Sequence, residues 1–192
     1  PWVVASLGQS VIDGMLDGGV MTIIKHIPGH GRARSDSHME LPVVDTPRAE
    51  LERSDFAPFR ALAHAPLAMT AHVVYTDIDP TGPATTSKRV IDEVIRGFIG
   101  FDGALMTDDL SMRALKGSHT ERVRASIAAG CDLILHCNRN MDEMREIADV
   151  TPVLSGKALA RAERAMAALK PVQPFAVAEA QARVDAAVTR VA

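Results

Sequence analysis

The chain has 192 residues, 47% apolar and 23% charged, with a formal net charge of −3 and two cysteines. This length allows one domain with a substantial buried core, and the scattered Lys and Arg residues exclude the basic footprint of a nucleic-acid binder. No apolar run approaches the roughly 18 residues of a membrane span and no leader pattern opens the chain, while Cys131 and Cys137 are too few for a disulfide framework, which fits reduced thiols and a cytoplasmic home.

Residues 3–17 read as an amphipathic helix carrying Val4, Leu7, Val11, Ile12 and Met15. A chain that opens at Pro1 inside such a pattern is expected to be one piece of a longer polypeptide. Gly18-Gly19 stops the helix, and residues 20–24 form a short buried strand. A loop rich in Gly, His and Arg follows from Lys25 to about Pro42. Pro47 opens a helix through about Ala63. Residues 66–71 are the next strand and 75–86 a Pro/Asp/Gly loop. Ser87 caps a helix to about Phe98, with Val90, Ile91, Val94, Ile95 and Phe98 on one face. A third strand, 103–107, ends in Asp108-Asp109; a helix at 120–129 then leads to Gly130 and a fourth strand at 132–136. Helices at 140–149 and 155–169 follow, the latter with Leu159, Ala162, Met166 and Leu169 inward, and a weaker one covers 176–191.

Alternation of short apolar strands with amphipathic helices predicts parallel βα units, with helices covering the sheet. No Gly-x-Gly-x-x-Gly follows a strand, so a dinucleotide-binding sheet is not expected. The polar segments all come directly after strands, where a (β/α)₈ barrel assembles its active site. Four units make half of such a barrel. The domain division that follows is a partial barrel over 1–170 and a helical extension over 171–192 packed on it.

Three clusters after successive strands could carry chemistry. Asp108-Asp109 sits at a strand end, where acids often only cap a helix or solvate a turn; a rigid carboxylate there can also attack an anomeric carbon. In Asp36-Ser37-His38, extended backbone would put both end residues on one side, letting Asp36 fix the tautomer of His38 and leave its other nitrogen free for proton exchange. In Lys25-His26-Ile27-Pro28-Gly29-His30-Gly31, the proline and glycines preclude a helical metal pair and let backbone pass close to a ligand. Lys25 and His26 are placed to donate to sugar hydroxyls, whereas His30 reads as structural. His72, ending the second strand, reads as a pocket-floor imidazole.

As a set, Lys25 to Gly31, Asp36-Ser37-His38 and Thr107-Asp108-Asp109-Leu110-Ser111-Met112 closely resemble glycoside hydrolase family 3, in its bacterial NagZ-type β-N-acetylglucosaminidase branch. Ala71-His72-Val73, Gly100-Phe101-Asp102-Gly103 and Ala129-Gly130-Cys131-Asp132 extend the match over roughly residues 20–140. The resemblance implies Asp108 as nucleophile, His38 as acid/base and Asp36 as its orienting partner. It implies Lys25 and His26 as residues that hold N-acetylglucosamine, with His72 lining the same site. It implies a TIM-type (β/α)₈ fold, of which this chain is the C-terminal part and whose N-terminal strands would be its missing partner. The implied reaction removes a terminal β-linked N-acetylglucosamine with retention, from cytoplasmic cell-wall recycling fragments, with no metal or organic cofactor. Two alternatives stay open: a phosphorylase on the same scaffold, because a neutral histidine does not repel an anionic acceptor, and a metal-dependent barrel hydrolase using His26, His30, His38, His72 and Asp108.

Overall fold

A computed structural model describes residues 1–172 and 174–189. The chain starts with α1 (Trp2–Asp17), β1 (Ile23–Ile27), β2 (Val43–Val44), α2 (Arg48–Arg53), α3 (Ala57–Ala61), β3 (Leu67–Thr70) and β4 (Val74–Tyr75). A 3₁₀ turn (Ala84–Thr86), a π-helix (Val90–Phe98) and β5 (Ala104–Met106) come next. The chain continues through α4 (His119–Ala129), α5 (Met141–Val150), α6 (Gly156–Ala167) and α7 (Val177–Thr189). β1, β3 and β5 pair in that order, all parallel, with Ile23 opposite Leu67 and Leu67 opposite Ala104. Parallel strands neighbouring in chain order, with helices between them, build the wall of a (β/α)₈ barrel.

The first strand starts later than its apolar run suggests. β1 keeps pairing with β3 through Ile27, with an irregularity between Lys25 and Ile27, so Lys25 and His26 lie in the strand rather than after it. The expected fourth strand at 132–136 reduces to one bridge between Met106 and Leu133. The ladder stops there because the Leu135 amide donates to the Thr107 side-chain oxygen (2.9 Å) instead of a backbone carbonyl. The helix expected over 47–63 breaks in two. The Ser54 hydroxyl turns back on the Glu50 carbonyl (2.8 Å), and Pro58 occupies the first turn of α3.

The π-helix carries its apolar face as expected: Val90, Ile91, Val94 and Ile95 are buried, and the Ser87 hydroxyl accepts from the Val90 amide at 3.0 Å. With Ile24 and Ile27 of β1, Ala68 of β3, Leu105 of β5, Phe56 and Phe101 they form the main core. Each large buried side chain in it contributes about 1.5–3 kcal/mol. A small parallel pair, β2–β4, was not legible in the sequence; it buries Tyr75 edge-on against Phe56.

Behind the sheet, Asp132 is the organising acid. Its carboxylate accepts from the Leu105 amide (2.9 Å), Arg96 (2.8 Å) and Arg161 (3.2 Å). α6 therefore docks through Arg161 and Ala165, not through the expected apolar face: Leu159 is 39% and Met166 65% exposed. α1 likewise buries only Ala5 and Ile12, leaving Val4, Leu7, Val11 and Met15 exposed. None of α7 is buried, and the last residues of the helix expected over 176–191 lie outside the described residues. Among the described residues, no helix is long and apolar enough to cross a membrane.

Candidate active site

The turn after β5 divides its two acids. Asp109 is held on several sides: one carboxylate oxygen accepts from the Ser111 amide (3.0 Å) and the Cys137 amide (3.3 Å), the other from the Ser111 hydroxyl (2.6 Å). Burial pushes its carboxyl up, but the bonds from Ser111 and Cys137 outweigh that and hold it below the usual carboxylate range. Asp109 thus takes the bland role of turn acid. Asp108 does not. Its Oδ1 accepts only the next amide (2.8 Å), and Oδ2 lies 3.5 Å from His26 Nε2 with the side chain 13% exposed.

His26 comes to the nucleophile candidate from β1, two strands away across β3. Burial lowers its pKa; Asp108 opposes that, while Lys25, His30 and His72 add to it. The ring is neutral near pH 7 and can donate or accept at Nε2. His30 leans on it with ring centroids 5.5 Å apart, and Lys25 is exposed on the same strand. Gly29 is tightly packed: a Cβ there would sit 3.1 Å from Asp55, whose carboxylate also anchors Arg32 at 2.8 Å. Close approach of backbone is thus real at Gly29, but to Asp55.

The Asp36–His38 pair forms, though by a different local geometry. Residues 36–39 are a turn, not extended chain: the Met39 amide donates to the Asp36 carbonyl at 2.9 Å. The Asp36 Oδ1 atom accepts both the His38 amide (2.9 Å) and its ring Nδ1 (2.8 Å). Those bonds, the backbone one foremost, hold the Asp36 carboxyl below its ordinary value. Nε2 of His38 faces outward on a side chain 74% exposed. The His38 carbonyl accepts from the Arg113 amide (3.4 Å), so this loop rests on the turn that begins at Asp108.

His72 is fully buried, with Nδ1 on Thr85 Oγ1 (2.7 Å) and Nε2 on the Asp109 carbonyl (3.1 Å). Burial lowers its pKa against the pull of Asp109 and Asp108. It supports the turn after β5 through the Asp109 carbonyl. Among the described residues, His26, His30, His38, His72 and Asp108 do not gather their ligand atoms into one metal-sized cluster.

The sequence did not single out Thr85, Cys137 or Arg122. Arg122 donates to the carbonyls of Leu110 and Gly117, bracing the same turn. The Asp109-x-Ser111 spacing, an Asx turn, was the available signal. A groove of about 720 Å³ runs along β1 and α1, with Lys25, His26 and His30 at its polar end and Val4, Val11 and Met15 at its apolar end. Asp108 does not line it.

The profile described as "Glycosyl hydrolase family 3 N terminal domain" matches residues 1–192. A beta-hexosaminidase of Alkalilimnicola ehrlichii is 46% identical over 142 residues, 72% of this chain and 40% of the relative. One of Aromatoleum aromaticum is 38% identical over 181 residues, 92% of this chain and 51% of the relative. The chain thus spans about half the length, or less, of these curated relatives. The structure of NagZ from Neisseria gonorrhoeae, in complex with N-trifluoroacetyl-D-glucosamine, superposes with a TM-score of 0.76 at 36% identity, over 91% of this chain and 49% of that one.

Proposed function

The chain belongs to glycosyl hydrolase family 3, as part of its TIM-type barrel, and on that premise we propose that it carries the catalytic acids of a retaining β-N-acetylhexosaminidase. The observation that carries this reading is the Asp108 carboxylate oxygen at the mouth of β5 that meets only the His26 ring, at 3.5 Å, among the described residues, beside an Asp109 whose oxygens are both hydrogen-bonded. The names of the relatives add the sugar.

Asp108 attacks the anomeric carbon of a terminal N-acetylglucosamine as its bond to the aglycone oxygen breaks. Protonated His38 delivers a proton to that oxygen, and a glycosyl-aspartate ester remains. Neutral His38 then takes a proton from water, whose oxygen attacks the same carbon and returns Asp108 to its carboxylate. The Asp36 bond to Nδ1 fixes which ring nitrogen serves. His26 and Lys25 hold sugar hydroxyls, and His72 keeps the turn in place. No cofactor is needed for these steps.

The fragments of cell-wall recycling, N-acetylglucosaminyl-anhydro-N-acetylmuramic acid with or without peptide, are the substrates in this reading, in the cytoplasm. In this reading, further βα units of the barrel cover the apolar groove along α1 and β1. Because the acid/base is an exposed imidazole, inorganic phosphate is a second acceptor. The test is release of a chromogenic aglycone from a β-N-acetylglucosaminide against the matching β-glucoside, on wild type and His38→Ala, with and without phosphate. Preference for the N-acetyl sugar and loss in His38→Ala are expected; equal rates on both sugars would overturn the reading. Accumulation of sugar 1-phosphate would identify the phosphorylase.

A further inference from the structure

A second group of polar side chains lies on the far side of Asp109, and the proposed reaction uses none of it. His119 opens α4, Glu143 sits in the first turn of α5, and His136 ends the segment beside β5. The Glu143 Oε2 atom is 3.3 Å from His119 Nε2 and 3.2 Å from His136 Nε2, and all three atoms lie within 4.8 Å of one another. His136 is 4% exposed, yet neither of its ring nitrogens makes a directed hydrogen bond, even to the nearby Glu143. A buried imidazole without a hydrogen-bond partner is destabilising. Nitrogen and oxygen ligands about 2.0–2.1 Å from a tetrahedral ion are separated from each other by about 3.3 Å. The two measured separations are that edge.

The outer contacts agree. His119 Nδ1 faces Glu146 Oε2 at 3.4 Å, and His136 Nδ1 faces Asp109 Oδ1 at 3.7 Å. A carboxylate behind the far nitrogen of each ligating histidine fixes its tautomer and raises its basicity. Glu143 is itself steadied by Asn138 and by Asn140, whose side-chain amide donates to Oε1 at 2.9 Å. The rings stand edge-on with centroids 5.3 Å apart. Without an ion, both His136 ring nitrogens lack a directed hydrogen bond among the described residues.

We propose that His119, His136 and Glu143 bind one zinc-class divalent transition-metal ion, through the two Nε2 atoms and Oε2, with water at the fourth position. Imidazole ligands favour zinc, nickel or copper over magnesium or calcium. The ion ties α4, α5 and the segment after β5 together against Asp109. It takes no part in sugar chemistry, so the inference stands apart from the function proposed above.

The full-length protein, stripped with chelator, is titrated with zinc chloride and the bound metal counted. One equivalent is expected in wild type, weakened at least about tenfold in His119→Ala and in Glu143→Gln. It should persist in a His26→Ala, His38→Ala double variant, which removes the two imidazoles assigned to the sugar site. Failure of wild type to bind an equivalent, or its loss only in the double variant, would overturn the proposal. Should the single variants misfold, cobalt-substituted wild type decides the matter. Intense visible bands of a tetrahedral site support the assignment, and the weak bands of an octahedral one refute it.

Discussion

Replacing the two neighbouring acids one at a time separates holding from reacting. Asp109→Ala deletes the acceptor of the Ser111 amide, the Ser111 hydroxyl and the Cys137 amide. Bonds to a charged group contribute about 1.5–3 kcal/mol each when buried. At a side chain 16% exposed, with one contact at 3.3 Å, about 1 kcal/mol apiece is the fitting scale. The sum, about 3 kcal/mol, lowers Tm by roughly 6–12 °C for a chain of this size. Asp108→Ala removes one bond, to its neighbour's amide, and costs under about 1 kcal/mol. Turnover reverses the order: Asp108→Ala loses roughly four orders of magnitude or more, Asp109→Ala about tenfold. Thermal melts by circular dichroism and chromogenic β-N-acetylglucosaminide assays on both variants read the two quantities. Equal losses of Tm, or an Asp109 variant that is dead beside an active Asp108 variant, would refute the division.

Asp36→Asn keeps an acceptor for the His38 ring but removes the charge behind it, so kcat falls about 10- to 100-fold while KM holds; an unchanged kcat would remove Asp36 from the mechanism. Burial lowers the His72 pKa, so the unfolded chain binds a proton there that the folded chain refuses. The stability this gives is complete above about pH 6.5 and is lost as pH falls below it, through the folded value. His72→Gln should flatten that acid slope in a Tm-against-pH series, and an identical slope would contradict the assignment. Arg96→Ala removes one of the two arginines on the buried Asp132 carboxylate, leaving Arg161 and the Leu105 amide, and should cost about 1.5–3 kcal/mol in denaturant unfolding; a change under about 1 kcal/mol would show that Arg161 suffices.

Strand order and the main helices were readable because Ile24, Ala68 and Leu105 sit in short apolar runs bounded by glycine, proline or acid, and because the Val90–Ile95 face has helical spacing. What escaped was set by contacts between distant residues. Thr107 intercepts an amide that a fourth strand would need, and Ser54 closes α2 early. α6 is held by Arg161 to Asp102 and Asp132, acids far from it in the chain, which no local periodicity records. The Asp36–His38 bond was legible from spacing, yet the turn that makes it was not. Likewise, neither the gap from His119 to His136 nor that to Glu143 is a recognisable interval; the meeting of α4, α5 and the segment bridged to β5 at Leu133 brings them together.

The account turns on a covalent sugar at one oxygen. Acid-quenching His38→Ala during turnover of an activated β-N-acetylglucosaminide, then sequencing its peptides by mass spectrometry, tests this directly, because loss of the base slows breakdown of the ester. A single N-acetylhexosaminyl adduct on Asp108 is the expected result. An adduct on Asp109 or another residue, or none while the first aglycone is released in a burst, would contradict it.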